Sequence, residues 1–379
     1  MNRVVALLAL TASSLLANAD TGVHDNRIVF GQSAVFSGPN RNLGLQYRAG
    51  LLAAFGERNA TGGVAGRALE LISLDDGYEP DRAAANAERF VSENDVFAVI
   101  GAVGTPTSRR IAPVLRTAEI PFVGPFTGTD FLRDAERYPY VVNLRTGYLQ
   151  EIEVLVEHML LDRGVNRFGV IYQDDAFGRT VLANYKTVLD RHDIPILAKA
   201  SYTRNSHAVH SALFSLEKAD LEAILIVGSY AAGAEIINLA NSLGHTYIMA
   251  SLSFAPSYEL TREIAEPSPR IIMTEVMPSV GDPDLEVVRN FHGAMAAMPG
   301  DALEGEAPHE VALEGYILGR FVISVLERME GEWTRDDFVT TALSAEPVQI
   351  DDWELGFEPG SSTGTDFIRL IDFGSIGEE

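Results

Sequence analysis

From Arg27 onward, short continuous apolar runs alternate with longer stretches whose apolar positions recur at helical spacing. Runs at 28–30, 69–74, 97–100, 121–123 and 140–143 read as strands, with helical patterns at 45–59, 81–92 and 106–117 between them. A second series follows. It opens with a helix near 150–163 and continues with strands at 167–172, 196–200, 223–227 and 247–250. Helical patterns at 176–191, 208–217 and 231–243 separate those strands. Unbroken apolar strands alternating with helices predict an α/β chain with parallel sheets covered on both faces.

The two series divide at 143–146, and the second ends near 271–278. Long helical patterns return at 284–297 and 309–330, and strand character at 353–357 and 367–373. Two βα series followed by a mixed tail is the pattern of two interleaved lobes. No repeat of fixed short period, low-complexity tract or Gly/Ser linker interrupts the chain. Short hinges are therefore expected.

The first residues change the picture of where the chain works. Arg3, an apolar run over 4–16 and the small-x-small triplet Ala17-Asn18-Ala19 predict a signal peptide over 1–19, cleaved on export. A buried terminal strand or helix is the other use of such a run. The run is short of the roughly 20 residues a membrane span needs. The sequence contains no Cys, which removes disulfides and a lipid anchor from consideration. Its 379 residues suit about two domains with cores large enough to hold without staples. A formal net charge of −24 argues against nucleic acid or anionic lipid as partner.

In open α/β sheets, ligands bind beyond the C-terminal strand ends, so those loops carry the candidate chemistry. Gly101-Ala102-Val103-Gly104-Thr105-Pro106-Thr107-Ser108 follows a strand and opens a helix. Thr105 is placed to cap that helix and Pro106 to begin it. Free N–H groups and a hydroxyl there suit a carboxylate, although a plain capped helix needs the same residues. Gly124-Pro125-Phe126-Thr127-Gly128-Thr129 follows the next strand and adds glycines for close approach and two more hydroxyls. In the second series, Phe177 and Tyr230 stand at strand-to-helix corners, where each reads as a ligand cover or as core.

Catalytic signatures are missing: no Cys nucleophile, no GxxxxGK[ST], no HExxH and no GxSxG. His309-Glu310 begins like a zinc motif without its second His. Asp75-Asp76 and Asp174-Asp175 end strands and read as capping and turn residues. No catalytic residue, metal or cofactor is expected.

At these loops the sequence resembles the type I periplasmic solute-binding proteins, in the leucine/isoleucine/valine-binding-protein-like branch serving ABC importers. The resemblance covers essentially the whole mature chain. It is carried by Ser37-Gly38-Pro39, Asn59-Ala60-Thr61-Gly62-Gly63-Val64, Leu74-Asp75-Asp76, Gly104-Thr105-Pro106-Thr107-Ser108, Gly124-Pro125-Phe126-Thr127-Gly128 and Gln173-Asp174-Asp175-Ala176-Phe177-Gly178. It implies two Rossmann-like lobes joined by a three-strand hinge, with lobe I at 20–143 and 278–347 and lobe II at 144–277 and 348–379. A small amino-acid-like or carboxylate-bearing ligand would bind in the cleft, with no enzymatic turnover. Thr105 would hold the ligand carboxylate, and backbone groups of Phe126 and Thr127 would add contacts. Phe177 and Tyr230 would close from the opposite lobe. Thr129, Tyr148 and Ser253 complete the expected set.

One departure matters. Relatives hold the ligand ammonium with an acid after the last strand of lobe II, where this chain reads Ala250-Ser251-Leu252-Ser253-Phe254. Either another acid, such as Glu275, reaches in, or the ligand lacks that ammonium. This points away from a plain branched-chain amino acid and toward carboxylates, amides or aromatic compounds. The expected role is a monomeric periplasmic receptor that delivers solute to an inner-membrane ABC permease. A sensor module feeding a membrane signalling protein would use the same fold and pocket.

Overall fold

A computed structural model describes residues 22–265, 270–300, 302–331 and 333–374. The expected signal peptide lies outside them. Strand β1 (Arg27–Ala34), helix α1 (Arg41–Ala60), β2 (Ala68–Asp75), α2 (Pro80–Ser92), β3 (Ala98–Ile100), α3 (Thr105–Thr117), β4 (Phe122–Val123) and β5 (Val141–Val142) form the first series. Their strands make one parallel sheet in the order β2-β1-β3-β4-β5. Strand alternation sends Ile28, Phe30 and Ile100 to one face and Val29 and Val99 to the other. The Val29 face meets Ala83, Ala87 and Phe90, spaced along one stripe of α2.

The second series runs α4 (Tyr148–Leu161), β6 (Phe168–Gln173), α5 (Ala176–Asp190), β7 (Ile196–Tyr202), α6 (His210–Leu216), β8 (Ala223–Val227), α7 (Tyr230–Ser242), β9 (Ile248–Ser251), α8 (Ser257–Glu263) and β10 (Ile271–Glu275). The tail adds α9 (Glu286–Ala297), α10 (Glu310–Arg328), α11 (Arg335–Ala342), β11 (Val348–Ile350), β12 (Trp353–Leu355) and β13 (Arg369–Asp372). The second sheet has the order β13-β10-β9-β8-β6-β7, parallel except for β13, which runs antiparallel to β10. In each sheet the strand order reverses once, next to β1 and next to β6. Those reversals create the crevices where loops converge.

The tail returns to the first lobe before it ends in the second. Helix α10 lies so close to α1 that a Cβ on Gly50 would come within 1.9 Å of the Ala312 carbonyl oxygen. A Cβ on Gly315 would sit 2.2 Å from the Tyr47 carbonyl oxygen, so only glycine permits this crossing. Position 348, where the return to lobe II was expected, begins β11, which pairs with β12 and packs on α10. The first tail strand paired to the second sheet is β13. Helices α8 and α11 and strand β11 had no counterpart in the sequence pattern.

Two of the crossovers are laced together. Asn143 donates its N–H to Ser362 O at 2.7 Å and accepts from Gly364 N at 2.8 Å. The Thr146 hydroxyl donates to Phe367 O at 2.9 Å. The lobes are thus joined by short hydrogen-bonded strands, as the missing linker composition implied. Among the described residues no helix is long and apolar enough to cross a membrane.

Candidate functional site

The C-terminal loops of the two sheets face each other and touch. On the first-lobe side, Gly104 has a φ of 96° and caps α3, which makes Thr105 the first helical residue. The cap is therefore one residue earlier than the sequence suggested, and position 104 must be glycine, because its φ is positive and a Cβ there would strike Tyr78 at 2.2 Å. The Thr105 hydroxyl lies 2.7 Å from the Thr127 hydroxyl, and Thr127 donates to Tyr148 Oη at 3.3 Å. All three side chains are buried. The Thr129 hydroxyl and, in the first turn of α3, the Ser108 hydroxyl are buried without a hydrogen-bond partner.

The backbone contacts expected of Phe126 and Thr127 are already used within the lobe. Phe126 N–H donates to Ala102 O, Phe126 O accepts from Gly104 N, and Thr127 N–H donates to Pro125 O. The Phe126 ring instead packs edge-on to Tyr47 and carries the Arg145 guanidinium 4.1 Å above its centroid.

From the second lobe, Phe254 enters the centre of the contact. Its ring lies 4.7 Å from Phe177, 5.9 Å from Phe126 and 5.8 Å from Tyr78, and Phe177 lies 5.3 Å from Tyr148. Thr105, Phe126, Thr127, Tyr148 and Phe177 thus meet in one buried group, with Phe254 and Tyr78 as members that loop reading had missed. Asp175 orients Phe177 by capping α5, accepting from Phe177 N at 2.9 Å and Gly178 N at 3.3 Å. Tyr230 belongs to a different group, where its hydroxyl donates across the lobes to Pro39 O at 2.9 Å.

Ser253 sits at the other end of the contact. Its hydroxyl donates to Glu151 Oε1 at 2.9 Å and accepts from Arg145 Nη2 at 3.0 Å. Glu151 also accepts from Ser253 N–H and from the Thr274 hydroxyl, so it fastens the loop after β9 to α4. Arg145, on the first crossover, is 1% exposed. Its Nε lies 3.3 Å from Glu314, yet Nε and Nη1 make no hydrogen bond. Phe126, Arg145, Ser253, Glu275, Glu310 and Glu314 line a narrow gap between the lobes.

Glu275, the acid expected to reach inward, does line that gap, but Arg369 and the Ser257 hydroxyl hold its carboxylate. Burial, opposed by Arg145 and reinforced by Glu151, pushes the Glu314 carboxyl up to about 7. Burial would lower the Arg145 pKa, but Glu314 and Glu151 outweigh it and raise it, so the guanidinium stays charged. Glu314 follows a buried run on α10, and an acid in such a run was the sequence signal left unread.

The paired acids at the strand ends act as turn and cap residues. Asp76 accepts from the Ser33 hydroxyl at 2.7 Å and Tyr78 N–H at 2.8 Å, while burial lifts its pKa to about 7. His309 is the cap of α10, and its Nε2 meets Glu259 of the second lobe at 3.0 Å. Among the described residues no group of three or more His, Cys, Asp or Glu is arranged to hold a metal ion.

The family model described as "Periplasmic binding protein" matches residues 27–366. The chain is 25% identical over 248 residues to Leu/Ile/Val-binding protein homolog 7 of Brucella suis biovar 1, covering 63% of this chain and 61% of that protein. It thus spans about three fifths of the length of such curated relatives. A possible leucine/isoleucine/valine-binding protein from Rhodopirellula baltica superposes with a TM-score of 0.85 at 28% identity, over 95% of this chain and 96% of the other. A substrate-binding periplasmic protein from Ralstonia solanacearum gives a TM-score of 0.81 at 25% identity, over 90% and 96%. With two facing α/β sheets and a model match across nearly all described residues, the chain belongs to the periplasmic binding protein family, as a type I member of its leucine/isoleucine/valine-binding-protein-like branch.

Proposed function

We propose that the chain is an extracytoplasmic receptor that closes its two lobes on a small amino-acid-like solute and delivers it to an ABC permease. The observation that carries this reading is the meeting of polar and aromatic side chains from both loop edges, hinge residues included, at one buried place. A solute held there touches both lobes at once, so its binding energy is spent on closure. The lobes are assigned as 22–142 with 286–355 and 143–275 with 356–374, hinged at 143–147, 276–285 and 356–368. No covalent step is assigned. The protein works as a monomer in the periplasm, bound to the permease only while unloading.

Family relatives with leucine, isoleucine and valine in their names favour an amino-acid-like solute over a sugar or a metal. Thr105, Thr127, Thr129 and Tyr148 supply the hydroxyls for its polar head, and Phe126, Phe177 and Phe254 supply the apolar wall. Tyr230 joins the rim, where its bond to Pro39 helps hold the lobes shut. The test is thermal unfolding against a broad library of metabolites. A solute present at 100 times its Kd should stabilise the protein by about 2.7 kcal/mol. A library that leaves the midpoint unmoved, with nothing co-purifying in the cleft, would remove the receptor reading.

A further inference from the structure

A short loop of the second lobe, the one after β7, reaches across the cleft and takes hold of the first lobe. Its grip lies at Arg204 and Asn205. Asn205 has a φ of 56°, in the left-handed region that asparagine tolerates better than most residues. From that turn its side-chain amide meets three partners in the other lobe. The amide nitrogen donates to Gly77 O at 3.1 Å and to Glu79 Oε1 at 2.7 Å, and the amide oxygen accepts from Asn40 Nδ2 at 3.1 Å. Arg204 donates to the other Glu79 oxygen at 2.6 Å.

The receiving side is stiffened by its own bonds. The Asp75 carboxylate accepts from Phe36 N–H at 2.8 Å, the Ser37 hydroxyl at 2.6 Å and Gly77 N–H at 2.9 Å, so the loops after β1 and β2 form one lip. Glu79 caps α2, yet its side chain makes no capping bond, and its carboxylate is turned to the second lobe instead. Tyr230 donates to Pro39 O on the same lip. Strands β2 and β7 are edge strands of their sheets, while the opposite edges, β5 and β13, adjoin the crossovers. Rotation about the crossovers therefore acts on the loops after β2 and β7 with its longest arm, and their bonds form only when the cleft is fully shut.

We propose that Asn205, with Arg204 beside it, is the latch of the closed cleft and sets how long a bound solute stays without choosing which solute it is. The proposal rests on the receptor reading above and concerns the closure of that same site. None of Asn40, Gly77 and Glu79 belongs to the hydroxyl and aromatic group assigned to the solute. The latch bonds form after the solute has entered, so they slow its departure and leave its arrival alone. Arg204 is the lesser part, because Glu79 is 43% exposed and water screens an ion pair there. The Asn205 amide is the greater part, because it bonds three partners at once.

Association and dissociation rates, measured separately on the full chain, distinguish a latch from a solute contact. The probes are the twenty standard L-amino acids and any solute that co-purifies. Asn205→Gly keeps the left-handed backbone and removes the amide. It should speed the dissociation of every binder by at least about 10-fold and change association by less than about 2-fold. Glu79→Ala breaks the latch from the other lobe and should do the same, and α2 keeps its start because that side chain makes no capping bond. The double variant should release solute no more than about 3-fold faster than the faster single variant, since both changes break one set of bonds.

Unchanged dissociation from Asn205→Gly would overturn the latch and leave the receptor reading standing. So would a change in the rank order of the solutes, which would make Asn205 a solute contact. Effects of the two single variants that multiply in the double variant would also overturn it. If no probe binds and nothing co-purifies, the receptor reading falls and the latch falls with it.

Discussion

The two halves of the lobe contact differ in how directly the lobes bond to each other. Around Glu259 and Glu79, polar side chains of the two lobes bond directly to each other, although Asn40 Oδ1, Asn42 Oδ1 and Arg204 Nε keep no partner. Glu259 accepts from Asn42 at 3.1 Å and meets His309 at 3.0 Å, Asn205 donates to Glu79 at 2.7 Å, and Arg204 meets the same Glu79 at 2.6 Å. Burial would raise the Glu259 pKa, but His309, Asn42 and Arg262 outweigh it and hold the carboxylate below its ordinary range. Burial would lower the His309 pKa, but Glu259 and Glu310 raise it. Toward the hinge, Arg145 Nε and Nη1, Ser108 Oγ and Thr129 Oγ1 make no hydrogen bond, and Arg145 meets Glu314 only as an ion pair at 3.3 Å. The first region ties one lobe to the other through several side-chain bonds, while the second is lined by a guanidinium and carboxylates that meet through ion pairing across a narrow gap.

Breaking the inner gap should cost most. Arg145→Met removes the one cation between Glu314 and Glu151 and leaves two buried acids uncompensated. Denaturant unfolding near pH 8 should show a loss of about 3–5 kcal/mol. An unchanged midpoint would mean that this end of the contact is not dry.

A smaller and more selective effect is expected at the hydroxyl cluster. Thr105→Val keeps the shape and removes one hydrogen bond to a charged solute group, which should weaken solute binding by roughly 1.5–3 kcal/mol. Because Thr105 also bonds Thr127, affinity and stability must be measured together. A loss confined to stability would make the pair a packing feature. Around Glu79, Arg204→Met should cost less than Arg145→Met, since Glu79 is 43% exposed and keeps Asn205 as donor, while the buried Asp175, 3.5 Å from Arg204, keeps its bonds from Phe177 and Gly178. A larger loss at Arg204 than at Arg145 would invert the comparison and move the solute site outward.

Much of the frame was legible in the chain. Ala223–Val227 is apolar at every position and is buried at every position, as a strand covered on both faces must be. Asp175 was readable as a cap because the next residues begin a helix, and its carboxylate accepts from two of their N–H groups. The hydroxyl cluster followed from two such loops on neighbouring strands. Tyr230 was read into the same place and belongs to the rim, because loop order along a sheet does not say how far a side chain reaches. Phe254 was passed over beside Ser253, since nothing local distinguishes a ring that fills a lobe contact from one on a surface.

Local pattern thus determined most of the strands and helices, the loops at the sheet edges and the resemblance those loops carry, since each depends on neighbours within a few residues. Tertiary structure decided which buried charges face one another. Arg145, Glu151 and Glu314 stand on a crossover, on α4 and on α10, and are brought together only by the crossing of Gly315 on α1 and the return of the chain between lobes. Whether a carboxylate has its donors depends on groups more than a hundred residues away in sequence, as Ser253 and Glu151 show. No window along the chain contains both partners.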